Sequence, residues 1–239
     1  LKIYHQVDIN QAFYFETAAR TADVCFCTTE LIRQGLLPHN SRCHRLQHGV
    51  AISKPSRPLK AAEQQRFSHG QIQAMYVGNL EMTYLDVELL AKVMELHPEV
   101  RFHLVGGYRR DGGLFQQLGS APNVVWWGHV ESSQIPSLLA HADLLMVCYQ
   151  AQHHADQANP HKLMEYLASG RTVVATYTAE YDAQRNLLAM AELGSNAGYP
   201  ELFASVLANI YTWNAPERIE ARRSFAADHT YERQLERIQ

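Results

Sequence analysis

Short apolar runs rich in β-branched residues alternate with helix-length segments along most of this chain, and that alternation constrains the fold more than any other feature. IYHQV (3–7) reads as a strand and residues 9–20 as a helix. DVCFCTT (23–29) is a buried strand, ELIRQGLL (30–37) a short helix, and RCHRLQHGV (42–50) a last strand with a turn. The pattern resumes with QAMYVGNL (73–80), an amphipathic helix over 85–96 with Val87, Leu90, Val93 and Met94 near one face, and VRFHLVGGY (100–108). GGLFQQLG (112–119), NVVWWGHV (123–130), IPSLLAHA (135–142) and DLLMVCYQ (143–150) continue it, and residues 199–211 and 216–237 close it with helices. Strands apolar on both faces and separated by helices predict an α/β fold with a parallel sheet covered on both sides.

The stretch SKPSRPLKAAEQQRFSHG (53–70) interrupts the series with two prolines and no apolar periodicity, so 51–70 reads as a linker. Residues 1–50 then form the tail of one α/β domain and 71–215 a complete second one. The opening LKIYHQVD reads as a strand entered part-way, the expectation for a piece of a longer polypeptide. At 46% hydrophobic and 19% charged residues the composition is that of a folded domain, not a disordered chain. A net charge of −3 argues against nucleic acid or anionic membrane as a partner, yet leaves room for one local anion site. The four cysteines form no CxxC pair. Cys25 and Cys27 alternate along a strand and read as small buried residues, so a reducing cytoplasm is the default location. No apolar run is long enough to span a bilayer.

One segment carries chemistry: NPHKLMEYLASGRTVVAT, residues 159–176. Asn159 suits a helix N-cap and Pro160 a first helical residue. Lys162 then falls in the first turn, where the helix dipole disfavours a cation. The placement makes sense if an anion such as phosphate lies between it and the free backbone N–H groups. Glu165, three residues on, can accept two hydrogen bonds from a vicinal diol such as a ribose. The alternative is an ordinary surface Lys–Glu pair. Gly78, Gly106–Gly107 and Gly128 end three successive strands, where open α/β sheets bind ligands. His153, His154 and Asp156 share one polar loop, but adjacent histidines rarely chelate one ion, and no metal site is expected. GNLEMT does not match GxGxxG, which weakens a dehydrogenase reading, and no Walker loop, nucleophile elbow or HExxH occurs.

In order, ADVCFCTTELI, LQHGVAI, YVGNL, FHLVGG, NVVWWGHV, HADLLMVCY, NPHKLMEYLASGRTVVAT and HTYERQLERI resemble GT-B glycosyltransferases, notably bacterial nucleotide-sugar transferases of polysaccharide assembly. The most specific part is P-x-K-x-x-E-Y-L-A-x-G. The resemblance implies a Rossmann-like donor-binding C-terminal domain, the tail of a second Rossmann-like domain, and a crossover helix at 216–239 returning to the first domain. It implies that Glu165 binds the donor ribose, and that Lys162 with backbone at Pro160 and His161 holds the pyrophosphate. Backbone near Trp127, Gly128 and His129 would recognise the base. Tyr149 would line the pocket, and Gly78 and Asn79 would face the phosphates; Tyr166 would only pack. Two departures stand out. Where many retaining relatives carry a second glutamate this chain has Gln157, beside Asp156, and the loop GNLEMTYLD lacks their arginine and lysine. An inverting member needs a general base, and Asp8 at the end of the first strand is the candidate, with a helix-capping role as its alternative.

The function so implied is metal-independent transfer of a hexose from an NDP-sugar, UDP-linked, to a glycan or lipid-linked acceptor. No cofactor beyond the donor is required, and Asp8 and Lys162 are the candidate catalytic groups. Peripheral attachment at the inner membrane face is left to residues outside this chain. A nucleotide-sugar epimerase and a non-catalytic nucleotide-binding module are the alternatives.

Overall fold

A computed structural model gives the fold and describes residues 1–9, 14–52, 57–67, 70–154 and 159–238. It contains two parallel sheets. In the first, β1 (Ile3–Gln6), β2 (Val24–Cys27) and β3 (Cys43–Arg45) lie in chain order, linked by α1 (Phe15–Thr21) and α2 (Glu30–Leu36). Cys25, Cys27 and Cys43 are buried with Ala19, Ile32 and Leu36 as a small apolar core, and no cysteine is bridged. Thr29 caps α2, its hydroxyl accepting the Ile32 N–H at 3.2 Å.

The segment between the sheets is not all linker. Residues 53–56 and 68–69 lie outside the described set, but α3 (Ala61–Gln64) is helical. Glu63 reaches back to the Lys60 N–H at 2.7 Å and pairs with Arg57 at 2.9 Å. Leu59 is buried, and Phe67 stacks on His103 with ring centroids 4.3 Å apart. One apolar anchor at each end of a polar helix is enough to seat it, and such sparse anchors leave no periodic signal in sequence.

The second sheet is built from β4 (Gln73–Val77), α4 (Val87–Leu96), β5 (Arg101–Val105), α5 (Gly113–Leu118), β6 (Val124–Gly128), α6 (Ile135–Leu139), β7 (Leu144–Val147), α7 (Lys162–Ser169), β8 (Thr172–Ala175) and β9 (Ala189–Met190). Successive side chains point to opposite faces. Tyr76, Leu104 and Met146 join one core with α4, α5 and the following α8 (Tyr199–Ala208). Met75, Val105 and Leu145 join another with α6 and α7. Both faces are therefore covered, as the apolar runs predict. The strand order is β6-β5-β4-β7-β8-β9. The chain moves outward from β4, then returns to β7 on its other side, so the winding reverses between β4 and β7. A crevice opens at the carboxyl ends of strands at such a reversal.

After α9 (Ile210–Trp213), the expected single closing helix is two, α10 (Pro216–Ala227) and α11 (Tyr231–Glu236), because Thr230 starts a new helix by accepting the Arg233 N–H at 3.3 Å. This tail returns to the first sheet's side. Val50 and Thr230 form a parallel bridge, and the Gln234 amide donates to the His48 carbonyl at 3.4 Å. Arg222 on α10 is fully buried, donating to the carbonyls of Gly170, Leu187 and Trp213 at 2.9, 3.4 and 2.7 Å. Among the described residues no helix is long and apolar enough to cross a membrane.

Candidate functional site

The helix α7 starts at Lys162, not at Pro160. Asn159 does not cap it: its amide donates to the Thr28 carbonyl of the first sheet at 3.3 Å. The carbonyls of Pro160 and His161 accept the N–H groups of Leu163 and Met164 at 3.0 and 3.2 Å. The asparagine thus ties the start of the helix to the facing sheet.

Nor do Lys162 and Glu165 pair with each other. The Lys162 side chain turns inward to the reversal between β4 and β7. Its Nζ lies 3.1 Å from the Tyr76 hydroxyl, 4.2 Å over the Tyr76 ring and 5.4 Å from the centre of the Tyr149 ring. Cation–π attraction offsets part of its lost hydration, but no carboxylate pairs with it among the described residues. Desolvation pushes the ammonium pKa down to about 7, although the residue as a whole is only half-buried. The turn after β4 closes on it from the other side. Gly78 has φ 151°, and a Cβ there would sit 2.6 Å from the lysine nitrogen. A Cβ at Gly106, φ 146°, would collide with the Gly78 carbonyl oxygen. Only glycines allow this approach.

Neighbouring tyrosines hold the arrangement. Tyr166, expected only to pack, is fully buried, and its hydroxyl accepts the Val77 N–H at 2.9 Å, fixing the end of β4 to α7. Tyr149 is buried, its N–H donating to the Thr176 hydroxyl at 3.0 Å and its ring meeting Tyr84 edge-on at 5.0 Å.

Glu165 makes no ion pair with Lys162, although its charge opposes the fall in the lysine pKa. Its side chain is 44% exposed and lies 3.8 Å from the His161 ring nitrogen. It lines a cavity of about 630 Å³ with His161, Ala168, Ser132, Ser133 and Ile135. The last three were not legible as site residues. The two serines lie in the 3₁₀ turn Ser132–Gln134 that leads into α6 at Ile135, and only their nearness to the WWGHV strand end points to them. His161 also meets the Tyr231 hydroxyl at 3.1 Å and the His48 ring edge-on at 5.3 Å. One residue therefore touches α7, α11 and the segment after β3.

The end of β6 is fixed from beneath. The Trp127 indole N–H donates to His103 Nδ1 at 3.0 Å, His103 Nε2 meets Gln73 Oε1 at 2.8 Å, and the Arg66 guanidinium lies 4.0 Å over the Trp127 ring. Burial, with the Arg101 and Arg66 charges nearby, lowers the His103 pKa to about 3, so the ring is neutral. Gly128 adopts φ 70° and its carbonyl accepts the Gly106 N–H at 2.9 Å, while the His129 side chain is exposed. Asn79 is also exposed, its carbonyl oxygen accepting the Glu81 N–H at 3.0 Å. Asp8 follows β1 on the facing sheet, exposed; burial lowers the His48 pKa and raises that of Tyr84, and the Asp8 charge opposes the first shift and adds to the second. It therefore faces the same crevice. Asp156 and Gln157 lie outside the described residues. Among those described, no group of three or more His, Cys, Asp or Glu side chains is placed to hold a metal ion.

Residues 71–209 match the family model for glycosyl transferases group 1. The chain belongs to that family. It is 24% identical over 161 residues to TuaH of Bacillus subtilis (strain 168), a glycosyltransferase assigned to teichuronic acid biosynthesis. That match takes in 65% of this chain and 40% of TuaH, so this chain spans less than half the length of the curated relative it matches. Among solved structures, Anabaena HepE in complex with UDP superimposes with TM-score 0.75 at 17% identity, covering 99% of this chain and 70% of HepE. WaaG, a glycosyltransferase involved in lipopolysaccharide biosynthesis, gives 0.69 at 18% identity, covering 99% and 73%. The fold of this group 1 chain is thus the α/β GT-B fold.

Proposed function

We propose that this chain carries the donor site of a transferase moving a sugar from an NDP-sugar, UDP-linked, to a glycan or lipid-linked acceptor. The observation that carries the reading is the Lys162 ammonium, unpaired by any described carboxylate, against the Gly78 turn where the sheet reverses. An anion entering there meets a cation and the backbone of a glycine turn. The nucleotide is UDP because HepE, whose fold this chain shares, has been solved with UDP and with UDP-glucose.

In this reading Lys162 holds the pyrophosphate and stabilises it as it leaves, with the His161 N–H presented by the turn at Pro160, which has no N–H of its own, and the turn at Gly78 and Asn79 completing the cradle. Glu165 takes the ribose hydroxyls in its cavity. Ser132, Ser133 and the Gly128–His129 turn border the base, and Tyr149 forms the inner wall. Asp8, across the crevice, deprotonates the acceptor hydroxyl as it attacks the anomeric carbon, and the proton passes to the carboxylate. The charge of the leaving group is met by the lysine, so no metal is required. The four unbridged, buried cysteines suit a reducing cytoplasm.

Calorimetry with UDP, GDP and ADP tests the reading. UDP should bind, and Lys162→Ala should abolish measurable binding. If no nucleotide binds, the donor-site reading is wrong; if UDP binds Lys162→Ala as well as the parent, the role of the lysine is wrong.

A further inference from the structure

The end of β6, the base wall of the proposed donor site, belongs to an edge strand whose ladder neighbour is β5. The ladder between the two is irregular there. Leu104 pairs with Trp126 and Val105 with Gly128, so the register skips Trp127, the extra residue of a β-bulge. A bulge re-aims the residues that follow it, here Gly128 and His129. Their aim then depends on what holds the bulged side chain.

That holder is His103. Met75, His103 and Val125 are neighbours across β4, β5 and β6. Gln73 stands two residues before Met75 and Trp127 two after Val125, so Gln73, His103 and Trp127 form a diagonal across three strands. Their hydrogen bonds run in one direction. An indole N–H only donates, so His103 Nδ1 carries the lone pair that accepts it at 3.0 Å. The neutral ring then has its proton on Nε2, which donates to Gln73 Oε1 at 2.8 Å. The Gln73 amide N–H donates onward to the Gln71 carbonyl at 2.8 Å. One tautomer satisfies both bonds of the ring, and a protonated ring would lose the acceptor that the indole uses. His103 is fully buried, and Phe67, stacked on it, also lies 5.5 Å from the Trp127 ring. Arg66 closes the arrangement from outside, its guanidinium over the Trp127 ring and donating to the Trp126 carbonyl. Burying a polar ring costs free energy unless its bonds are made. Packing alone would favour an apolar residue here; what the histidine adds is direction.

We propose that His103 is a positioning residue for nucleotide binding: by holding the bulged Trp127 it fixes the Gly128–His129 turn, and through that turn the affinity for the base. That the ligand is a nucleotide rests on the donor-site reading; that His103 fixes the turn does not.

Two substitutions of the ring separate positioning from support. His103→Asn puts an amide oxygen near the place of Nδ1 and keeps an acceptor for Trp127. His103→Gln puts an amide nitrogen near the place of Nε2 and keeps only the donor to Gln73. Both fill the site less well than the ring, so both should lower Tm. UDP affinity should part them. It should fall about tenfold in His103→Gln, as for one lost buried hydrogen bond, and by no more than about twofold in His103→Asn. Inorganic pyrophosphate, which has no base, should bind both variants as it binds the parent. Equal UDP losses in the two variants, losses that follow Tm instead of the Trp127 bond, or a parallel loss of pyrophosphate affinity would each overturn the proposal. Trp127→Phe removes the indole N–H at a half-buried position and covers the case in which neither His103 variant folds. It too should weaken UDP about tenfold, and an affinity equal to the parent's would overturn the proposal. If the parent binds no nucleotide, the donor-site reading fails and amide exchange decides the positioning claim by itself. Exchange at Gly128 and His129 should then be about tenfold faster in His103→Gln than in the parent and unchanged in His103→Asn. Equal rates in the two variants would overturn it.

Discussion

Lys162 and Glu165 stand three residues apart on one helix and meet opposite surroundings. The lysine is folded into a box of Tyr76, Tyr149 and Gly78 without a carboxylate partner. The glutamate stands half in solvent beside His161, in an open groove. Spacing alone would set them side by side as a surface pair. The difference teaches that the two residues stand in different relations to stability. A desolvated ammonium without a carboxylate partner costs the fold free energy and is a mark of functional sites. An exposed carboxylate costs it almost nothing.

Lys162→Met tests the contrast hardest. Methionine keeps the volume and removes the charge. UDP affinity should fall by roughly a hundredfold or more, the loss typical of removing a desolvated charge partner, while thermal stability should rise by several degrees, since about 1 kcal/mol shifts Tm by roughly 2–4 °C at this size. A variant that lost both binding and stability would show that the lysine supports the fold, contrary to this account.

The same lysine makes binding depend on pH. Its pKa of about 7 in the free protein must rise when an anionic pyrophosphate sits beside it. Above pH 7 binding therefore takes up a proton, and UDP affinity should fall by about tenfold per pH unit until the pKa of the complex is passed. Stability moves the other way. The unfolded lysine keeps its proton up to about pH 10.4, so between pH 7 and that value the unfolded state binds more protons and folding stability rises with pH. Calorimetry and thermal melts across pH 7–9 should show both slopes in the parent and neither in Lys162→Met.

Glu165→Gln belongs to the opposite side of the comparison. It removes one acceptor for the ribose diol and nothing that the fold uses. A loss of about five- to tenfold in UDP affinity is expected, as for one charge-assisted hydrogen bond, with Tm unchanged to within a degree or two. A large drop in Tm would mean that the His161 contact matters more than its 3.8 Å separation indicates.

The contrast also marks how far the sequence could be read. The strands were legible because each is an apolar run buried on both faces; Val24–Cys27 and Leu144–Val147 fall inside the predicted segments. Lys162 was legible as an oddity because a cation in a first helical turn opposes the dipole. Its inward turn was not, since that depends on Gly78, a strand end more than eighty positions away. The sequence pattern puts the start of α7 two residues early, because an asparagine that looks like a cap serves the facing sheet through Thr28. Ser132 and Ser133 were missed for the same kind of reason: nothing local distinguishes a serine at a cavity from one on a surface. The short strand Ala189–Met190 carries only two residues, below what any periodicity can signal.

Tyr166 follows both residues on the same helix and ties that helix to the end of β4, and it gives the smallest expected effect on binding. Its hydroxyl meets the Val77 N–H, one residue before the glycine that closes on Lys162. Tyr166→Phe leaves that buried N–H without a partner at nearly constant volume, which should cost about 1–3 kcal/mol of stability. The lysine box keeps its aromatic walls, so UDP affinity should fall only about twofold through a loosened Gly78 turn. Denaturant melts and UDP titrations on the same variant separate the two. A tenfold loss of affinity with unchanged stability would mean that the hydroxyl acts on the ligand itself, and a change in neither would mean that the end of β4 is held by the sheet alone.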